Sequence, residues 1–449
     1  MRALRIELRR SVALGIGLAL LAFGAFTILA GGYFRYGGWA ALSYTLRDSL
    51  LILWPLAAGA GAWQARREQS RGVAELMTTS ARPAAAQLAP VAIALAVTVS
   101  LAYLLTLLAG SVRLWLSPAQ PYLTLPGLAA AGVGALSLIT AAWTGLAVGR
   151  AVPSRFTAPG LTLITFMIGA ALQEFDLLSN THDPGLLLAT ISAPYQQDWV
   201  QLPLSLSALQ AFWLTALAFS AFCFTLARHR RGRALAVVPA TLALMVTFPL
   251  LPAPTPDGWD TAFREDPEAM RPVCAEGEPR VCVMRVHSGL LEDLTPPIRQ
   301  ALKAMETLPS APTAATEVRA ESGSPDRQTL GFEIVLGAAG RLEEPGLITF
   351  ETLREAMAPA CEPPSDASFE DYSDRSLAWD LAGTWLTDQV DAPRGENWPD
   401  ERFADAYAAL TALPPQQQAE QIATYYRNAT GCTGDLRADL LADVTGTVS

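Results

Sequence analysis

Residues 83–112 read PAAAQLAPVAIALAVTVSLAYLLTLLAGSV, 30 positions without a charged side chain. A bilayer core is about 30 Å thick, and about 20 helical residues cross it. In lipid the backbone must satisfy its own hydrogen bonds, so such a run forms a helix. Outward from it, charge-free runs occupy 11–34, 49–65, 114–149, 156–173, 199–227 and 234–256. Together they predict seven spans, near 12–31, 49–65, 88–110, 127–149, 157–173, 207–227 and 234–252. The second and fifth are the short ones, at the low end of a spanning length. The first follows Arg2, Arg5, Arg9 and Arg10 and exceeds the roughly 7–15 apolar residues of a cleaved signal peptide. It therefore reads as an uncleaved span.

Composition agrees. Of 449 residues, 51% are hydrophobic and 16% charged, against about 25% charged in an average soluble chain. A mean hydropathy of +0.27 excludes wholesale disorder. The net charge of −10 excludes a simple basic nucleic-acid binder. That charge is a sum over two unlike parts. Residues 1–252 hold 17 Arg and 8 acids, a net +9; residues 253–449 hold 15 bases and 34 acids, a net −19. The expected fold class is an α-helical polytopic membrane protein of about seven spans over 1–252. A Pro- and acid-rich tether at 253–279 follows, then an α+β, mainly α, extracytoplasmic domain over 280–449.

Short cytoplasmic loops collect Arg and Lys. With the N-terminus inside, the inner segments hold 14 Arg: residues 2, 5, 9, 10, 66, 67, 71, 82, 150, 155, 228, 230, 231 and 233. The outer loops hold three, Arg35, Arg47 and Arg113. Seven spans from an inside start place 253–449 outside a bacterial plasma membrane. Cys274, Cys282, Cys361 and Cys432 all lie in that part, and Cys223 in the sixth span. Four cysteines in an oxidising compartment suggest two disulfides. Three connectivities are open, and Cys274–Cys282 with Cys361–Cys432 is favoured because Cys282 lies on an expected strand just after Cys274.

In the terminal domain, 280–286 and 329–337 read as strands and 309–328 as a Pro/Ser/Thr/Ala-rich loop. Helices are expected over 290–308, 349–358, 374–391, 400–412, 416–428 and 435–444. Trp379, Trp385, Leu377, Leu381 and Leu386 form an apolar stripe at helical spacing, the mark of core packing. Glu370, Asp371 and Asp374 lack EF-hand spacing and read as solvated acids. Asn428-Ala429-Thr430 is a weak match to a glycosylation sequon.

No HExxH, no G-x-S-x-G and no P-loop occurs, and the histidines are His182, His229 and His287. The chain is therefore not expected to be an enzyme, to hold a metal or to carry a cofactor. The expected spans contain no Asp, Glu, Lys or Arg, which argues against a proton-driven carrier.

The segment 66–87 reads RREQSRGVAELMTTSARPAAAQ. Arg66, Arg67 and Glu68 are followed by Gly72, then by Glu75 and Leu76, then by Thr79 and Arg82. This pattern resembles the cytoplasmic coupling-helix loop of the permease subunits of type-2 ATP-binding cassette (ABC-2) transporters. The added seventh span and outer domain resemble a variant seen among actinobacterial permeases of this class. Residues 1–10, with Arg2, Arg5 and Arg9 on one face and Leu4 and Leu8 on another, look like its interfacial elbow helix. The resemblance implies a permease in the lipid bilayer, paired with a second copy or a paralogue. A separate ABC ATPase subunit would bind ATP and Mg and dock on the 64–87 loop, with no nucleic-acid partner. The rival expectations are a membrane-anchored sensor or scaffold with an outer ligand-binding domain, and a polytopic membrane enzyme.

Overall fold

The computed structural model describes residues 13–30, 39–70, 83–116, 123–179, 184–190, 199–227, 229–252, 263–319, 326, 328–334, 336, 342, 344–359, 369–394, 401–433 and 440. The chain divides into two compact units between Ala269 and Met270.

The first unit is helical. In chain order it has α1 (Ala13–Ala30), α2 (Trp39–Asp48), α3 (Leu50–Ser70), α4 (Ala84–Trp115), α5 (Leu125–Ala151), α6 (Thr157–Ser179), the short α7 (Pro184–Ala189), α8 (Leu204–Leu226) and α9 (Arg230–Thr247). Among the described residues, four stretches are long and apolar enough to cross a membrane: Ala84–Val112, Leu125–Ala151, Leu204–Leu226 and Arg230–Leu250. α1 holds a shorter apolar stretch, Gly15–Ile28. Helix α2 lies where the sequence reading placed an outer loop.

The packing is that of a protein whose solvent is apolar. Large side chains face outward, including Leu101, Leu104 and Leu108 on α4, Leu163 and Met167 on α6, and Leu242 and Met245 on α9. Small ones face inward, among them Ala57, Ala58, Ala62 and Ala65 on α3 and Ala141 and Ala142 on α5. Where lipid is as apolar as leucine, helices associate by close backbone approach across small residues. Gly61 and Gly145 show this, since a Cβ at Gly61 would stand 1.9 Å from the Ala142 carbonyl oxygen, and one at Gly145 1.8 Å from that of Ala58. α3 and α5 are thus in backbone contact along their shared length.

After α9 the chain stays with this unit. β1 (Val200–Gln201) pairs antiparallel with β2 (Arg264–Glu265), and Asp266 donates its N–H to the Trp199 carbonyl at 2.7 Å. Phe263 packs with Tyr44, Leu202 and Leu251.

The second unit has a four-stranded sheet in the order β3 (Pro272–Cys274), β4 (Arg280–Met284), β5 (Ala314–Glu317), β6 (Thr329–Phe332). β3 and β4 are antiparallel; β4–β5 and β5–β6 are parallel. The crossover from β4 to β5 is α10 (Leu291–Met305), whose Leu294, Ile298, Leu302 and Met305 bury against Val281, Val283 and Ala315. Leu353 and Met357 of α11 (Ile348–Met357), Ala378 and Leu386 of α12 (Phe369–Gln389), Leu410 of α13 (Glu401–Ala412), and Ile422 and Tyr425 of α14 (Pro415–Gly431) close the same core.

Three expectations are corrected. The 253–279 tether contains β2 and β3, and the 309–328 loop contains β5. Strands of two to four residues are too short for a period of two to show in sequence. The expected strands at 280–286 and 329–337 stop at Met284 and Phe332, because the chain turns into a 3-10 helix at Arg285 and leaves the ladder after Phe332. Of the expected helix 435–444, only Leu440 is among the described residues.

Candidate functional site

Helix α2 is amphipathic, and it turns its polar as well as its apolar side chains inward. Leu42, Ser43, Tyr44, Leu46 and Arg47 are all buried, against α4 and α5. Ser49 donates its N–H to the Thr45 carbonyl at 3.2 Å and its hydroxyl to that of Leu46 at 2.6 Å. Leu53 in turn donates to the Ser49 carbonyl at 2.9 Å. Ser49 therefore closes α2 and opens α3, and the two helices are separate elements joined through it.

Arg47 has no exposed surface. Its Nη2 donates to Gln210 Oε1 at 3.2 Å, and Gln210 Nε2 donates to the Leu187 carbonyl at 2.7 Å. Among the described residues, Arg47 Nε and Nη1 have no hydrogen-bond partner, nor do the buried hydroxyls of Tyr103 and Ser207. The phenols of Tyr44 and Tyr103 lie within electrostatic reach of the guanidinium. Tyr44 Oη accepts the Leu202 N–H at 2.6 Å. A Cβ at Gly134 would stand 2.2 Å from Tyr103 Oη, so the glycine makes room for the phenol. Around this core Thr190 donates to Ser137 Oγ at 2.9 Å, and Thr140 to the Leu214 carbonyl at 3.1 Å.

The sequence reading counted Arg47 among the loop charges between spans; the structure places it, buried, on α2 within the helical unit. The sequence carried one signal, a single arginine in ten residues (WAALSYTLRD) wedged between two apolar runs. Leaving an arginine unpaired in such an interior is costly, and a group kept there is a functional candidate by default.

Of the coupling-loop residues, Arg66 and Arg67 are half-buried near the end of α3, and Glu68 lies within the same helix. Gly72, Glu75, Leu76, Thr79 and Arg82 lie outside the described residues, as do Arg2, Arg5 and Arg9. Cys274 and Cys282 are joined by a disulfide across the β3–β4 register. Cys432, in a left-handed conformation at the end of α14, is disulfide-bonded, and Cys361 lies outside the described residues. Cys223 is a free thiol.

The second unit holds side-chain pairs built on buried acids. His287 Nδ1 lies 2.6 Å from Glu317 Oε1, while Glu317 Oε2 accepts the Met284 N–H at 2.6 Å. Both side chains are sealed from solvent. The pair ties β5 to the chain leaving β4, which is a structural task. Arg354 Nε donates to Asp380 at 2.7 Å and joins α11 to α12. Burial pushes the Asp380 carboxyl above the ordinary carboxylate range, against the opposing pull of Arg354. Asp374 pairs with Arg402 and so fastens α12 to α13. No group of three His, Cys, Asp or Glu side chains among the described residues could hold a metal ion.

No protein-family model, no curated protein and no solved structure matches this chain.

Proposed function

We propose that this chain is the permease subunit of an ATP-driven exporter. Seven spans form the membrane body, the N-terminus is cytoplasmic, and residues 270–449 form a domain outside. Two such bodies, as a homodimer or with a paralogue, enclose the path. A separate ATPase subunit docks on residues 64–87 and supplies ATP turnover. The observation that carries the reading is α3. It bears Arg66, Arg67 and Glu68 at one end and is fixed to α5 by backbone contact at Gly61 and Gly145. At its other end Ser49 joins it to α2, which carries Arg47. Within α3, Leu50 and Arg67 are 17 residues apart, about 25 Å at 1.5 Å per residue, with Pro55 between them. A close-packed helix moves as a body, because packed interiors transmit strain. A push at the loop end thus reaches the buried arginine.

The test is purification of the intact protein from its native membrane. An ATPase subunit is expected to co-purify, and the double variant Glu75→Arg with Arg67→Glu to lose it. Intact protein that brings down no ATPase refutes the reading.

A further inference from the structure

Arg47, Tyr103 and Ser207 carry buried polar atoms without hydrogen-bond partners among the described residues; Tyr103 lies within electrostatic reach of the guanidinium, and Ser207 is on the helix of its partner Gln210. A guanidinium offers five N–H donors in a planar fork. Gln210 Oε1 takes one of them; Nε and Nη1 are unanswered, with no exposed surface on the residue. Ser207 lies three residues before Gln210 on α8, hence on the same helix face, and its buried hydroxyl is unpartnered too. The Tyr103 hydroxyl is the third such group. Asp48, the neighbouring carboxylate in sequence, lies within electrostatic reach of the guanidinium but accepts none of its hydrogen bonds. What this set lacks is an oxyanion, since carboxylate and phosphate oxygens accept several hydrogen bonds at once and match the arginine fork. The buried neighbours Leu42, Leu46, Leu50, Leu187 and Leu206 are apolar and offer an acceptor no rival partner.

We propose that Arg47, assisted by Tyr103 and Ser207, binds the carboxylate or phosphate head of an anionic amphiphile inside the helical unit. This rests on the exporter reading for its consequence, which is that the cargo class is an acidic molecule with an apolar body. The same head chemistry is offered by an anionic membrane lipid. The guanidinium is occluded here, as a gripped head group is in one half of an alternating-access cycle.

The test uses the full-length protein in a non-ionic detergent, with thermal unfolding followed by tryptophan fluorescence. The probes are octyl phosphate and octanoate, with octanol and octyltrimethylammonium as controls carrying the same tail. The two anions are expected to raise the melting temperature and the controls to leave it unchanged. Arg47→Gln is expected to weaken anion binding by about tenfold or more, the size of one charge-assisted hydrogen bond. Tyr103→Phe and Ser207→Ala each remove one hydroxyl and are expected to weaken it several-fold. They carry the test if Arg47→Gln does not fold. Equal shifts from octanol and octyl phosphate, or shifts unaltered in all three variants, overturn the proposal. Mass analysis of co-purified lipid separates the two sources. Phosphatidylglycerol retained by the wild type and lost from Tyr103→Phe identifies a lipid head, and its absence with octyl phosphate binding intact identifies cargo. Binding that depends on these residues in a protein that recruits no ATPase would leave the anion site standing and the exporter reading fallen.

Discussion

Adding one methyl group to Gly145 tests the α3–α5 contact with a built-in control. A Cβ there would stand 1.8 Å from the Ala58 carbonyl oxygen and 2.9 Å from its Cα. Ordinary contact begins near 3.4 Å, so the carbonyl must retreat by about 1.6 Å. A backbone carbonyl inside a helix cannot move alone, and the reciprocal contact of Gly61 with Ala142 resists any slide. The helices must therefore part. Overpacking of this kind costs about 1–3 kcal/mol, and a clash with backbone belongs at the upper end. For a unit of this size about 3 kcal/mol corresponds to a fall of roughly 6–12 °C in melting temperature. Gly132 lies on the same helix, and a Cβ there meets nothing within 4 Å. Gly132→Ala is expected to be neutral or to gain about 0.5–1 kcal/mol from reduced chain entropy and better helix propensity. The assay is thermal unfolding of the full-length protein in non-ionic detergent, read by far-ultraviolet circular dichroism. Gly145→Ala melting together with Gly132→Ala would refute the backbone contact.

Two further outcomes test the second unit. Glu317→Ala removes a buried partner of His287 Nδ1 and of the Met284 N–H, and losing a partner of a buried polar group costs about 1–3 kcal/mol. Hydrogen exchange over 280–287 should accelerate accordingly, and unchanged protection would show that Glu317 holds nothing. Asp380 has its carboxyl raised by burial, so the folded chain holds that proton more tightly than the unfolded one. The stability this group contributes is therefore full below its unfolded value of about 4 and is lost as pH rises through the raised native value. Asp380→Asn removes that loss and should gain on the wild type in melting temperature between acid and neutral pH. The opposite trend would mean that the pair with Arg354 outweighs burial.

Charge-free runs were enough to locate the long helices, because a span must be both continuous and apolar. Ala84–Trp115 and Leu204–Leu226 lie where 88–110 and 207–227 were expected. Packing details were less legible. Gly145 and Gly149 stand four apart on α5, but a pair of glycines in a Gly-rich apolar segment does not announce which helix it faces. Arg47 was hidden by the reasoning that gave the topology. An arginine between two spans counts as a loop charge until tertiary packing folds its segment inward. In the second unit the Trp379 and Trp385 stripe marked α12 correctly as core-forming. Strand β5, AATE, has no alternation to display and is a strand because β4 and β6 flank it. The loop that carries the family resemblance was legible only as a pattern of residue types.

The sheet of the second unit has its strands in the order in which they occur along the chain. Each new strand joins an edge that the previous one has just left open, and none is threaded between two already paired. A polypeptide delivered N-terminus first can build such a sheet by accretion, starting from the β3–β4 hairpin. Parallel pairing is slow when its partners are far apart in the chain. Here the cost is met one crossover at a time, with α10 docked on the hairpin before β5 needs a place. Strands add at one edge while β3 remains the other throughout, so only one edge of the half-made sheet changes as it grows.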